Sequence, residues 1–407
     1  MSAQDAAQGG LSEPLVWVIV ITFNGRRHLD ACFSSLHRTE YSNWRAMLVD
    51  NASTDGAADF TAATFPWVTI MRHGKNLGFA AGNNRGIADL DSRVTFVFLL
   101  NPDAEVECTA IGRCVTSLAA ASASTVSAAP KMLLHATTAT TTTATTAATT
   151  TKPANAAVIS VDLRPDGIQH AAVGEPENII DAVANAINAR GEAFNIGLGQ
   201  PDLGQYDEPQ PCFGPCFGAA LFRRSAFLPE QVGPLDESLF LYYEDVEWNW
   251  RAQILGFESI TVPGATVTHV MSASTRDLPY DFKFRLTERN LLVCVVLCVP
   301  GPEAFWIAGQ RIVGLLFGSI KGHYPVPGLR AVGGLLSRLP GLLVRRRRLR
   351  KRRIRSHSDI LCFGAGERTF FDPVRYMPVE SVAARRFAEQ RLRGALRAHS
   401  MPPVSGT

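Results

Sequence analysis

Residues 16–23, VWVIVITF, form an uninterrupted apolar and β-branched run. That run narrows the possible folds more than any other stretch. A strand with one wet face alternates polar and apolar positions, whereas one without alternation is covered on both faces, as in a parallel sheet flanked by helices. Asn24-Gly25 ends the run, Arg26 to Leu36 read as a helix, RAMLVD (45–50) as a second strand and NASTDG (51–56) as a turn. A short helix to about Phe65 and a strand VTIM (68–71) follow, and the Gly-punctuated NLGFAAGNNRG (76–86) leads into a further helix. TFVFLL (95–100) is a fourth strand, ending at Asn101-Pro102-Asp103. This alternation predicts an α/β domain with a mainly parallel central sheet and helices on both faces. Ligands of such sheets bind beyond the carboxyl ends of the strands, where Asp50, Asp55 and Asp103 stand.

Further along, VSAAPKMLL (126–134) reads as a strand and VISVDL (158–163) as another. The Thr/Ala tract 136–157 between them offers nothing to a core and is read as a flexible insertion within one domain. The chain is then Gly- and Asn-rich and mostly loop until about 210, and FGAALFRRSAF (217–227) is a strand running into a turn or helix. LDESLFLYYEDVEWNWR (235–251) predicts a helix opening at Glu244-Asp245, with Val246, Trp250 and Ile254 at helical spacing. SITV (259–262) and ATVTHV (265–270) read as two strands.

Beyond 280 the character changes. Residues 291–320 are apolar but broken by Pro300, Pro302, Glu303 and Arg311, and no run reaches the ~18 uncharged residues of a spanning helix. Residues 345–355, RRRRLRKRRIR, carry nine positive charges against a whole-chain net of +3, so the remainder is net acidic. The basic cluster therefore predicts a local anionic partner. With apolar helical pieces beside it, a surface-lying membrane attachment through 291–355 is expected. The other reading is a helical subdomain packed on the main domain with a solvated basic tail. No aromatic residue lies between 325 and 360 to stack on bases, so no nucleic acid is expected.

The expected organisation is a disordered 1–13, a catalytic domain 14–280, a helical region 281–356 and a tail 357–407. The eight cysteines form only two close pairs, Cys212/Cys216 and Cys294/Cys298. Their C-x3-C spacing matches no common zinc or redox pattern, and they read as reduced, mostly buried thiols of a cytosolic protein. Asp5 and Glu13, not basic residues, precede the apolar run 15–23, which fits a buried strand better than an export signal.

The acids carry the chemistry. Asp50 is placed to accept from a ribose or a base imide, and Asp55 follows in the same turn; either also suits an Asx-turn. Asp103, just past a hydrophobic strand, suits Mg²⁺ or Mn²⁺ neutralising a diphosphate, because such ions take one or two carboxylates plus phosphate oxygens. His269 becomes a second metal ligand if its strand end approaches Asp103. Asp245 is placed to take a proton from an attacking hydroxyl, with its pKa raised by burial among Phe240, Tyr242 and Tyr243. A dinucleotide-dependent oxidoreductase would need G-x-G-x-x-G after the first strand, where this chain has ITFNGRR.

Seven blocks in order, VITFN, VDNASTDG, NLGFAAGNNRG, LLNPDAEV, FGAALFRR, LDESLFLYYEDVEWNWR and THVMSAS, span roughly residues 15–275. Together they resemble the family 2 glycosyltransferases, in particular the rhamnosyltransferase-like branch that builds bacterial polysaccharides. The resemblance implies a GT-A fold that binds a nucleotide-sugar and transfers the sugar with inversion, assisted by a divalent metal. It implies that Thr22 and Asp50 line the base and ribose pocket, with Asp55 in the same loop and Asn76, Gly78 and Asn83 on the nucleotide side. Asp103 matches the metal-binding acid of a D-x-D element whose first aspartate is here Asn101, and His269 the histidine that completes the metal site. Asp245 matches the general base, Glu244 its acceptor-side neighbour and Arg251 the arginine that follows on the same helix. The implied donor is a nucleotide-diphosphate rhamnose, with galactofuranose as the alternative sugar, and a catalytically inactive nucleotide-sugar binder is the remaining reading. The implied acceptor is a saccharide or lipid-linked saccharide, met in the cytoplasm at the inner face of the plasma membrane.

Overall fold

The computed structural model describes residues 13–134, 178–270, 278–322 and 325–365. The Thr/Ala tract, the strand expected at 158–163 and most of the expected N-terminal stretch and C-terminal tail lie outside them. The first half follows the sequence closely: β1 (Val16–Thr22), α1 (Arg26–His37), β2 (Trp44–Asp50), α2 (Ala57–Thr64), β3 (Val68–Arg72), α3 (Gly78–Ala88) and β4 (Phe96–Leu100). One difference is that the Gly-punctuated stretch expected to precede a helix is itself α3. Next come β5 (Ala104–Val106), α4 (Ala110–Ala120) and β6 (Thr125–Leu134). The stretch read as loop supplies short strands, β7 (Ile180–Ala182), β8 (Asn185–Ile187), β9 (Ala193–Asn195) and β10 (Pro211–Cys212). Then follow β11 (Ala219–Arg223), α5 (Glu244–Ile254) and β12 (Glu258–His269). The two strands expected at 259–270 are one, with a register shift between Val262 and Thr266 where Pro263-Gly264 bulges.

The sheet runs β10-β12-β6-β11-β4-β1-β2-β3, with β5 on β12 and β7 on β6. β4, β1, β2 and β3 are mutually parallel, as are β6 and β12. β11 enters antiparallel to both sets, so the two sets run in the same direction and these strands are mainly parallel, as expected, with β11 reversed between them. This is the α/β arrangement, a central sheet with helices packed on it, that the sequence implied.

Alternation along β1 explains its unbroken apolar run. Val16, Val18 and Val20 meet Leu29, Phe33 and Leu36 of α1, while Ile19 and Ile21 meet Ala80 and Ile87 of α3 on the other face. Each such side chain, fully buried, contributes about 1.5–3 kcal/mol.

The chain continues through α6 (Tyr280–Cys298), α7 (Glu303–Ile320), α8 (Pro325–Leu336), α9 (Leu339–Lys351) and α10 (His357–Leu361). Residues 291–298 of α6 are all buried, in one cluster with Val246, Trp250 and Ile254 of α5. The expected boundary near 280 therefore does not separate a free-standing unit, and α6 belongs to the core. The nine-charge cluster also departs from expectation. Arg345 pairs with Asp236 and Glu247, and Arg346 and Arg353 donate to the backbone carbonyls that end α6. Arg352 donates to the carbonyls of Glu230 and Gln231, and Arg355 faces Glu258 at 3.9 Å. These five arginines brace the fold. All eight cysteines are free thiols and five are buried, as expected.

Candidate active site

Thr22 and Asp50 sit in register at the carboxyl ends of β1 and β2, both buried. Asp50 Oδ1 accepts from the Ser53 amide at 2.9 Å, closing the turn. Thr22 Oγ1 is buried without a hydrogen-bond partner among the described residues, and any side chain at Gly25 would run into it. Asp55, in the same loop, holds that loop against two helix starts. Its two oxygens accept from the amides of Arg26 (2.8 Å) and Ala57 (3.1 Å), satisfying open N–H groups at the starts of α1 and α2.

Asn76 Oδ1 accepts from the Gly78 amide at 2.8 Å, and Asn51 Nδ2 donates to the Gly78 carbonyl at 3.0 Å. Gly78 has φ +80° and lies against Phe240, leaving no room for a side chain. Phe79 N–H donates to the Phe240 carbonyl at 2.6 Å, tying α3 to the loop ahead of α5. Asn83 is buried and donates to Phe79 within its own helix, while its neighbour Asn84 holds the Leu235 backbone through both amide atoms.

Across the sheet, antiparallel pairing of β5 with β12 sets His269 opposite Ala104. This brings His269 Nε2 to 3.4 Å from Asp103 Oδ1 and to 3.4 Å from Asn101 Nδ2. The approach that makes His269 a partner for Asp103 is thus present. The other ring nitrogen, Nδ1, lies 2.7 Å from Asp181 Oδ2. Burial pulls the imidazole pKa down, but hydrogen bonds to Asp103 and Asp181 outweigh it and lift it to about 10. Without a cation the ring thus carries both protons; a cation that displaced the Nε2 proton would leave Asp181 holding Nδ1–H, the carboxylate–histidine arrangement common at metal sites. Among the described residues no set of three His, Cys, Asp or Glu makes a closed metal centre. One carboxylate and one imidazole instead fit a hard cation shared with diphosphate oxygens and water.

Glu244 and Asp245 open α5, where acids suit the helix dipole. The three aromatic residues ahead of them, Phe240, Tyr242 and Tyr243, have φ of 67°, 67° and 68°, a left-handed conformation that costs bulky side chains of order 1–3 kcal/mol each. α6 holds this loop. Asn290 Nδ2 reaches the carbonyls of Leu239, Leu241 and Tyr242 at 3.0, 2.9 and 2.7 Å, and Arg289 those of Ser238 and Leu239 at 3.1 and 2.8 Å. Burial raises both carboxyl pKa values, and the neighbouring Asp245 charge takes Glu244 to about 8. Asn185 Nδ2 donates to Asp245 Oδ2 at 2.7 Å and the Val246 amide to Oδ1 at 2.8 Å. These bonds favour the anion on Asp245, so of the two acids Asp245 is the better placed to accept a proton and Glu244 the one that holds its own. Arg251 is committed elsewhere, to Glu247 and the carbonyls of Val232 and Pro234. It braces the 232–234 turn from the helix that carries the two acids.

Asp181, Asn185, Arg289 and Asn290 were not among the expected site residues. Their signal is the lone polar group in an apolar run: IIDAVANAI (179–187) and RNLLVCVV (289–296). Asp181 and Asn185 are four residues apart, so the Asp103–His269 pair and Asp245 hang from one short segment spanning at most ~14 Å.

Residues 17–132 match the family described as glycosyl transferase family 2. The chain therefore carries a family 2 glycosyltransferase domain. The N-acetylglucosaminyl-diphospho-decaprenol L-rhamnosyltransferase of Mycobacterium tuberculosis is 26% identical over 271 residues, covering 63% of this chain and 76% of the relative. Among solved structures, GalNAc-T7 with UDP, GalNAc and Mn²⁺ aligns with a TM-score of 0.48 at 13% identity, covering 78% of this chain. The match spans 59% of the GalNAc-T7 chain. The mannosyltransferase PcManGT from Pyrobaculum calidifontis, in complex with GDP-Man and Mn²⁺, aligns at 0.45 and 14%, covering 84% of this chain and 86% of its own.

Proposed function

We propose that this glycosyltransferase moves a rhamnosyl group, with inversion, from a nucleotide-diphosphate donor to a hydroxyl of a lipid-linked saccharide in cell-wall or polysaccharide assembly. The sugar and the acceptor class follow the mycobacterial rhamnosyltransferase that the chain resembles. One observation carries the reading: Asp245, oriented by Asn185, and the Asp103–His269 pair, oriented by Asp181, are both tied to the single segment 181–185.

Thr22 and Asp50 stand where the base and ribose of a donor would lie, at the ends of β1 and β2. Asp103 and His269 would hold Mg²⁺ or Mn²⁺, which when bound supplies positive charge against the departing diphosphate. The acceptor oxygen bonds to the anomeric carbon on the face opposite the diphosphate. As it does so, the bond from that carbon to the diphosphate oxygen breaks and Asp245 takes the hydroxyl proton. One displacement inverts the centre and leaves a nucleoside diphosphate and a protonated Asp245. Asn76, Gly78 and Asn83 serve by fixing the turn and helix beside the nucleotide. The enzyme works peripherally at the inner face of the plasma membrane.

The test is a panel of nucleotide-diphosphate sugars assayed for hydrolysis and transfer with Mg²⁺ or Mn²⁺. Turnover of a dTDP- or UDP-rhamnose above the other donors is expected. Preference for a galactofuranose donor would replace the sugar, and tight donor binding without turnover of any donor would sink the enzymatic reading.

A further inference from the structure

Ten of the fourteen exposed large apolar side chains among the described residues fall between 305 and 344. They are ordered in rows. On α7, Trp306, Val313, Phe317 and Ile320 are 68%, 51%, 60% and 82% exposed, and their spacing of seven, four and three residues keeps them on one helical face. Val326, Leu329 and Leu336 of α8 and Leu343 and Val344 of α9 are also exposed. Ala308, Leu335 and Leu342 of the same helices instead reach the buried cluster built around α6. Each helix thus has an inner apolar face that is covered and an outer one that is not. Apolar rows of this extent on a water-facing surface mark a partner.

The charge around them says which partner. Between Glu303 and Asp359 the sequence has thirteen Lys and Arg and no acid. Five of the arginines brace the fold, but Arg347, Arg348, Arg350 and Lys351 are exposed at the end of α9 that follows Leu343 and Val344. A second copy meeting this face symmetrically would set like charges against each other. No helix among the described residues is long and apolar enough to cross a membrane, so the rows meet a lipid phase from its surface. Trp306, exposed at the start of α7, is a residue type that settles at headgroup level.

We infer that the outward faces of α7, α8 and α9 dock on an anionic lipid bilayer. The apolar rows enter the headgroup–acyl boundary and Arg347, Arg348, Arg350 and Lys351 face lipid phosphates. This deepens the peripheral placement proposed above and is separable from the transfer chemistry. It moves the attachment from the nine-charge cluster to the helical faces, leaving four charges of that cluster to assist.

The test is co-sedimentation of the full chain with vesicles of phosphatidylcholine alone, or in equal parts with phosphatidylglycerol, over a salt series. The chain should bind the mixed vesicles more tightly, and part of the binding should persist at high salt. Trp306→Ser with Phe317→Ser should weaken binding about ten-fold or more at every salt concentration. Arg347→Gln with Arg348→Gln should flatten the salt dependence. Ile320→Ser with Leu329→Ser is the second apolar pair should the first fold poorly, and transfer to a short soluble acceptor reports an intact site. Absence of vesicle binding by the full chain would overturn the inference, as would binding that neither apolar pair weakens. So would a concentration-dependent dimer that the apolar pairs dissolve while vesicle binding stays unchanged, which assigns the face to a second copy. A wild-type chain that docks but turns over no soluble acceptor would fail the transfer reading alone.

Discussion

Asn185 donates through Nδ2 to Asp245 Oδ2 at 2.7 Å, joining β8 to the first turn of α5. Asp245→Asn keeps the shape and removes the base, so turnover should fall by about 10²–10⁴, with donor affinity by titration calorimetry within a few-fold of wild type. Asn185→Ala should lower kcat by roughly ten-fold with KM little changed, because it frees the carboxylate to rotate. Undiminished transfer by Asp245→Asn would remove that residue from the reaction.

Acidity gives a second check. Burial raises the Asp245 pKa above the ordinary carboxylate value, and Glu244 stands at about 8. The base must be ionised, so kcat/KM should fall as pH drops through the raised Asp245 value, above the limb of an ordinary aspartate. Stability has the opposite sign. A raised folded-state pKa contributes stability below the unfolded value of about 4.3 for Glu, and this is lost as pH rises toward about 8. Glu244→Gln should flatten that decline in Tm between mildly acidic and mildly basic pH, and an unchanged slope would count against a proton on Glu244.

Asp181 meets His269 Nδ1 at 2.7 Å. Replacing it with alanine should weaken Mn²⁺ binding in the presence of a nucleoside diphosphate by about 10–100-fold. Electron paramagnetic resonance of free Mn²⁺ measures this without any turnover. Affinity equal to wild type would make the Asp181 contact purely structural.

Asn290 is fully buried, and its amide reaches three carbonyls of the loop that carries the left-handed aromatics. Asn290→Ala leaves those acceptors without that donor, at about 1–3 kcal/mol, read from urea unfolding. Because the same loop positions Glu244 and Asp245, kcat should fall as well in protein that remains folded. Full kcat in a destabilised variant would uncouple the loop from the base.

Arg345 provides a contrast within the basic cluster. It pairs with Asp236, whose side chain is 7% exposed. Burial pushes the Asp236 carboxyl up, but Arg345 outweighs it and holds it below its usual value. That contribution is present above the unfolded aspartate pKa of about 3.9 and is lost as pH falls through the lowered value. Arg345→Gln should cost roughly 1–2 kcal/mol near neutral pH, less than a fully buried pair because Arg345 keeps solvent contact. A variant with unchanged Tm but reduced vesicle binding would return Arg345 to the anchoring set.

The sequence by itself determined the parallel strands β1 to β4, the strand ends where Asp50 and Asp103 stand, and the helix opening at Glu244-Asp245. These depend on local periodicity, which a chain carries in neighbouring residues. Only the tertiary structure decided the partners of the acids. Asn185 and Asp245 are 60 positions apart and Asp181 and His269 are 88 apart, and the stretch holding Asp181 and Asn185 is too short and irregular to show a period. Composition also marked residues 345–355 as one basic cluster. Packing divided it, because Arg345, Arg346 and Arg353 lie where buried acids and the carbonyls ending α6 need donors, whereas Arg347, Arg348, Arg350 and Lys351 point into solvent. Which charges brace the fold and which are left for a partner is a property of the folded surface, and no count along the chain contains it.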